Sequence, residues 1–190
     1  MIIMSNIVLK NVRLSYEHVF TPVEPLGGGE PKYSASLIID KEDTANVDKL
    51  KKAIEEAMQE GVAKKWGGKK PARMQNPLHD GDVDREGKPE YEGCYFVNAS
   101  SKRQPQVVLR YLDPTTRKPI DATPNDVYSG CYCNVSVSLF PYSAAGNNGI
   151  GVGLNNIQKW EDGDRLGGAS SAAQDFDFET QEVDLDDMFA

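Results

Sequence analysis

Apolar and polar residues alternate through most of this chain, and the alternation predicts strands. Residues 6–16 carry Ile7 and Leu9 on one parity, then Val12, Leu14 and Tyr16 on the other. Side chains alternate between the two faces of a strand, so a change of parity needs one extra residue. A bulge or sharp bend is therefore expected near Lys10 and Asn11. Residues 33–39 set Tyr33, Ala35, Leu37 and Ile39 against Ser34 and Ser36, the pattern of a strand with one wet face. Residues 128–140 alternate most regularly. Cys131, Cys133, Val135, Val137 and Leu139 fall on one side, and Tyr132, Asn134, Ser136, Ser138 and Phe140 on the other. Further strands are expected at 93–100, 106–111 and 149–158.

One segment has a different period. Val47, Leu50, Ile54, Ala57 and Met58 recur at helical spacing over residues 44–60, with Asp43 or Thr44 to cap the start and Gly61 the end. Pro22, Pro25, Gly27, Gly28, Gly29 and Pro31 make 21–32 a loop. Residues 61–92 read as an irregular connection, long enough to be functional or mobile. About six strands and one helix lack the strand–helix alternation of a doubly wound sheet. They predict a mainly β fold: an OB-fold-like small β-barrel with one capping helix and long loops. A long, bent first strand serving both sides of the barrel is what such a fold needs.

Charge divides the chain in two. The net charge is −8, from 21 basic and 29 acidic residues. Residues 161–190 hold ten acidic residues and one arginine, Arg165, a net of −9. Residues 1–160 keep 20 basic and 19 acidic residues, a net of +1. The acidity therefore belongs to the end of the chain, and the body is open to an anionic partner. The expected organisation is a domain at 1–160 and a flexible linker with an acidic tail at 161–190. The linker is rich in Gly, Ser and Ala, and the composition of the tail predicts disorder. No run of 18 apolar residues codes for a membrane span. Met1 to Met4 are too few and uncharged for a signal peptide. The expected compartment is the cytoplasm, with no membrane partner.

Little of the sequence carries catalytic chemistry. Gly67-Gly68-Lys69-Lys70 lacks the spacing of a phosphate-binding loop, and Gly149, Gly151 and Gly153 precede no helix. The run Asp80, Asp82, Asp84 and Glu86 invites a metal reading, but residue 93, where calcium would need a glutamate, is glycine. A solvated turn is the simpler account, and a magnesium-dependent nuclease is the rival. With two histidines, His18 and His79, and no Gly-x-Ser-x-Gly turn, a hydrolase triad has no footing. Cys131 and Cys133 form C-x-C with no histidine near in sequence, so core thiols are expected rather than zinc. No cofactor, metal or catalytic residue is assigned, and the protein is read as a non-enzyme.

Stacking plus charge is better represented. Single-stranded nucleic acid is held by aromatic platforms and by cations along the phosphates. Trp66 lies among Lys64, Lys65, Lys69, Lys70 and Arg73. Tyr95 precedes Lys102 and Arg103, Arg110 adjoins Tyr111, and Tyr142 closes the later strand. These twelve residues are the candidate DNA-binding set. In the tail, Asp184, Asp186 and Asp187 lead into Met188 and Phe189. A solubilising segment has no need of the apolar pair, so these five are the candidate partner-binding set.

The segments Tyr128-Ser-Gly-Cys-Tyr-Cys-Asn-Val-Ser-Val-Ser-Leu-Phe-Pro-Tyr142 and Gly149-Ile-Gly-Val-Gly-Leu-Asn-Asn-Ile-Gln-Lys-Trp160, followed by Asp162-Gly-Asp-Arg-Leu166, resemble a family of bacteriophage single-stranded DNA-binding proteins. The resemblance covers most of the body and implies an OB-fold that binds single-stranded DNA in replication or recombination, inside a bacterial host cell. It also implies that the acidic tail recruits phage or host replication proteins and competes with DNA for the basic groove. This tail departs from the usual pattern in lacking a proline before Phe189 and in carrying Ala190 after it. A scaffold protein whose tail docks a partner without nucleic acid is the third reading. The pattern is compatible with a homo-oligomer.

Overall fold

The change of parity at residues 9–12 is a bulge within one long strand, β1 (Ser5–Val23). In the computed structural model, which describes residues 5–167 and 176–179, Leu9 pairs with Val135 and Val12 with Cys133. The extra residues leave Asn11 at φ 52°. Leu9, Val12 and Leu14 are all buried, so the bulge restores the inward face that simple alternation would lose. A second break follows between Ser15 and His18. There Tyr16 takes φ 48° and turns outward, although its parity grouped it with Val12 and Leu14. The strand also runs to Val23, past the expected end at 16.

These breaks let β1 serve two partners. Its first half pairs with β7 (Tyr132–Ala144) and its second half with β2 (Lys32–Asp40), both antiparallel. β2 pairs with β4 (Cys94–Ser101), and β7 pairs with β8 (Asn147–Glu161). A parallel bridge from Ser100 to Gly153 joins β4 to β8 and closes the ring β1–β2–β4–β8–β7. The result is a closed five-stranded barrel with the strand order of an OB-fold. Outside the ring, β3 (His79–Asp80) adds to β4. A hairpin of β5 (Gln106–Leu112) and β6 (Pro119–Asp121) adds to the far end of β8.

Inward residues fill the barrel in the alternation read from the sequence. Leu37, Ile39, Val97, Val135, Val137, Leu139 and Ile157 are at most 1% exposed. Each such side chain contributes about 1.5–3 kcal/mol on burial. Cys131 and Cys133 belong to this core with their sulfurs 3.7 Å apart. The hydrogen bond from Cys131, together with burial, pushes the Cys133 thiol well above its ordinary range.

The helix α1 (Thr44–Lys64) packs against β1 and β7 through Val47, Leu50, Ala53, Ile54 and Ala57. It starts at Asp43, whose carboxylate accepts from the Asn46 amide N–H, as a capping residue should. Asn46 itself is buried. Its Oδ1 accepts from the Lys10 N–H at 3.0 Å, and its Nδ2 donates to the Lys10 carbonyl at 2.7 Å. One amide therefore satisfies both the N–H and the carbonyl of Lys10, which the bulge takes out of the ladder, and it fastens helix to barrel.

Residues 61–92 are less irregular than expected. They contain the end of α1, β3, a one-turn helix α2 (Gly81–Asp84) and a 3₁₀ turn Pro89–Tyr91. The strand expected at 128–140 begins at Tyr132, because 128–131 form a turn with Gly130 at φ 111°. A side chain on Gly130 would collide with the Asp164 carbonyl. That contact belongs to a strap. Residues 161–167, expected as linker, are tied to the body instead. The Leu166 N–H donates to the Ser129 carbonyl, Arg13 Nη2 to the Asp164 carbonyl, and Tyr128 Oη to the Asp162 carboxylate. The folded body thus extends to Gly167, beyond the expected boundary at 160.

Asn46→Ala should destabilise the fold by about 1–3 kcal/mol, because it leaves the Lys10 N–H and carbonyl without their partners. Urea denaturation of the two proteins checks this. An unchanged midpoint would mean that the bulge does not depend on the clamp.

Candidate nucleic-acid interface

A groove of about 500 Å³ crosses the outer face of the barrel where β2, β4, β7 and β8 meet. Strand alternation places its lining. On β4, Tyr95, Val97 and Ala99 turn inward, which leaves Phe96, Asn98 and Ser100 outward. On β7 the outward set includes Phe140 and Tyr142, and on β8 it is Gly149, Gly151 and Gly153. A side chain at Gly151 would stand 2.6 Å from the Phe140 ring carbons. At Gly149 it would meet the Tyr142 hydroxyl at 2.8 Å. The glycines clear the β8 surface so that both rings can lie across it. Lys32, Asn98 and Ser100 face them from the other side, and the loop at Gln75–Pro77 forms a wall. That loop is fixed by the Gln75 N–H to the Asn148 carbonyl and the Ile150 N–H to the Gln75 carbonyl.

The proposed DNA-binding residues fall into several groups around this groove. Tyr142 lines it. Trp66 does not present a free ring, although it was read as part of a flexible loop. It lies half-buried on the helix glycine Gly61, and its Nε1–H donates to the Tyr142 carbonyl at 3.2 Å. Trp66 thereby anchors the loop that bears the exposed Lys65, Lys69, Lys70 and Arg73. Lys64 belongs to the last turn of α1 and pairs with Glu60. Tyr95 is not brought to the groove. Alternation on β4 turns it to the opposite face, where Lys41 and Lys51 stand over its ring at 5.2 and 5.5 Å.

Lys102 pairs with Glu30 at 2.6 Å, and Arg103 rims a second, polar hollow with Gln106, Asn155 and Asn156. Arg110 and Tyr111 sit apart on the β5 arm. Arg110 stands 4.0 Å over the Trp160 ring, and Tyr111 is 71% exposed. The tail residues Asp184, Asp186, Asp187, Met188 and Phe189 lie outside the described residues. The groove is also lined by Lys32, His79, Asn98 and Phe140, which are outside the twelve-residue candidate set. Phe140 and the β8 glycines were legible as a pair of facing patterns, but the β7–β8 register that superposes them was not.

The acidic run is organised by a lysine. Lys41 Nζ reaches Asp80 Oδ1 at 2.7 Å and Asp82 Oδ2 at 2.6 Å, occupying the position a cation would take between them. Asp82 Oδ1 also accepts from the Gly93 N–H, and Asp80 caps α2. The residue read against a calcium loop, Gly93, thus serves the same carboxylate through its backbone. The arrangement is a loop clasp, and it disfavours the nuclease reading.

A family model for the Enterobacter phage Enc34 ssDNA-binding protein matches residues 5–189. The chain belongs to this family. Protein p50 of Acyrthosiphon pisum secondary endosymbiont phage 1 is 34% identical over 184 residues, covering 90% of this chain and 92% of that protein. The single-stranded DNA-binding protein of bacteriophage Enc34, solved in complex with ssDNA, is 29% identical with a TM-score of 0.71. That match covers 85% of this chain and 89% of the other. The gp2.5 protein of bacteriophage T7, a single-stranded DNA-binding protein, has a TM-score of 0.57 at 18% identity over 95% of this chain and 99% of its own, a likeness of fold. Among the described residues no helix of this family member is long and apolar enough to cross a membrane.

Asp82 should titrate below the ordinary carboxylate value of 3.8, first because of the Lys41 hydrogen bond and then because of the Gly93 N–H. Its contribution to stability is present above 3.8 and fades as pH falls through the lowered folded value. Lys41→Met should move the midpoint up toward 3.8, as read by carboxyl NMR. An unmoved midpoint would show that the lysine does not organise the loop.

Proposed function

We propose that this protein binds single-stranded DNA with little preference for base sequence during phage replication or recombination. Binding runs through the groove between β2, β4, β7 and β8. Phe140 and Tyr142 serve as stacking platforms, and Lys32, Lys65, Lys69, Lys70, Arg73, Lys102 and Arg103 attract the phosphates. The observation that carries this reading is Phe140 lying across the Gly151 backbone in an open groove that Lys32 also lines. A ring on a glycine surface offers a flat π-face, and every base has one, so such contact is tolerant of sequence. Family membership and the Enc34 protein solved with ssDNA support the same reading. Arg110, Tyr111 and Trp160 extend the path along β8 toward the β5 arm.

Each phosphate neutralised contributes about −0.7 to the slope of log K against log salt. With about three to five contacts the slope should be about −2 to −3.5. Phe140→Ala should cost about 1–3 kcal/mol in binding while leaving the slope unchanged. Titration of a fluorescent oligonucleotide at several salt concentrations measures both. Affinity that ignores salt, together with wild-type binding by the Phe140 variant, would sink the groove assignment.

The acidic tail is proposed to recruit phage or host replication proteins through Met188 and Phe189, and to compete with DNA for the groove. Residues 175–190 contain seven acidic residues and no basic one, so removing them changes the net charge from −8 to −1. A tethered segment acts at an effective concentration that reaches about the millimolar range. Deleting 175–190 should therefore tighten DNA binding at low salt and abolish partner binding, with the gain fading as salt screens the charges. Equal affinity of the two proteins at low salt would reduce the tail to a docking or solubilising segment.

A further inference from the structure

We infer that Tyr16, Arg85 and Lys88 form a separate nucleotide subsite at the β1–β2 end of the groove. A phosphodiester of the strand is held there by Arg85 and Lys88, and a neighbouring base lies on Tyr16. The inference rests on the proposed function and adds a site outside the residues assigned to it.

Four observations converge on this place. The second bulge of β1 swings Tyr16 out of the core face, with φ at 48° and the residue left 47% exposed. Bulges that re-aim one side chain are frequent beside functional sites. Tyr16 lines a hollow of about 230 Å³ whose floor is Ser34, Ser36 and Asn98. Asn98 is shared with the main groove, so the two hollows adjoin across β4.

The cations are the third observation. The segment 80–92 contains six acidic residues, yet among the described residues neither Arg85 nor Lys88 makes an ion pair with any of them. Asp80 and Asp82 are engaged by Lys41, and Asp84 by His79. Arg85 instead packs among rings, 5.3 Å from Phe96, 5.6 Å from Tyr16 and 5.7 Å from Tyr91. Lys88 stands 4.9 Å over the Tyr16 ring and donates to its hydroxyl. The fourth is that Arg85 Nε is enclosed without a hydrogen-bond partner. Apolar packing alone would be met by a methionine. A guanidinium held by aromatic faces, with no carboxylate among the described residues in ion-pair range and with Ser34, Ser36 and Asn98 on one side and Glu86 and Glu92 rimming the other, is suited to an anion on the serine side. Beside the DNA path that anion is a backbone phosphate.

The test uses the full chain and a fluorescent oligo-dT strand. Arg85→Met and Lys88→Gln should each weaken binding at low salt and flatten the slope of log K against log salt, and the double variant should flatten it by about 0.7, the contribution of the one phosphate they share. Arg85→Lys should keep the slope. Lys88→Gln leaves the packing of Arg85 on Tyr91 and Phe96 in place, so it reports even where Arg85→Met loosens the segment. In the wild type, a strand carrying 5-iododeoxyuridine should photo-crosslink to Tyr16. Unchanged slopes in variants of a wild type that binds, or crosslinks confined to Phe140 and Tyr142, would overturn the subsite alone. A wild type that binds no strand would overturn the proposed function beneath it.

Discussion

Closing a barrel of five strands requires one strand to belong to two sheets, and everything in this molecule depends on how β1 does so. A flat strand cannot turn from β7 to β2 while keeping one face inward. The bulge at Lys10–Asn11 supplies the bend, at the cost of backbone groups removed from the ladder. Asn46 from the helix takes both groups of Lys10, and Asn134 from β7 takes the Asn11 N–H through its Oδ1 at 2.9 Å. Asn134 is in turn held by donating to Gln158 on β8 at 2.9 Å. Helix, first strand and closing hairpin are thus joined at one polar knot, in a place where hydrophobic packing could not satisfy the chain.

The groove is a consequence of that closure. Once β8 pairs with both β7 and β4, its outward residues become the floor between two neighbouring strands. Side chains there would fill the space. Glycine at 149, 151 and 153 leaves backbone instead, and the rings of Phe140 and Tyr142 lie over it. Fold and site therefore share a cause: the same alternation that buries Ile150, Val152 and Leu154 exposes the glycines between them.

Local periodicity carried the fold further into the sequence than it carried the site. The parity change in β1, the faces of β7 and the helix of 44–60 were all legible, because each is a property of neighbours in the chain. The second bulge was not. Tyr16 continues the parity of Val12 and Leu14, and nothing local distinguishes an inward tyrosine from one that a bulge turns out. Tyr95 and Trp66 show the same limit from the other side. Both sit beside lysines in the sequence, yet register turns Tyr95 to the helix face and the gap at Gly61 takes the Trp66 ring. Binding platforms are made by which strands meet, and one chain read alone fixes faces only up to an inversion.

The strap at 161–167 sets the starting point of the proposed competition. Its bonds to Ser129, Arg13 and Tyr128 hold Leu166 against the cluster of Ile38, Tyr91 and Phe96, beneath the rings that surround Arg85. Leu166 and Gly167 line the hollow that also contains Tyr16, His18 and Lys88. The described body thus ends at Gly167 beside the inferred phosphate subsite, whose β2 residues Ser34 and Ser36 lie two and four positions from Lys32. A chain spans at most about 3.6 Å per residue, so Asp175 stands no more than about 29 Å from Gly167 in any conformation. Exposed charges act across only about 8 Å at physiological ionic strength. Asp187 lies twenty residues beyond Gly167 and by the same limit of extension reaches about 72 Å, so the tail's carboxylates can meet cations along the full length of the groove. The tether therefore leaves the whole groove open to the proposed competition, and the order in which cations are covered follows their charge density and not the point of exit.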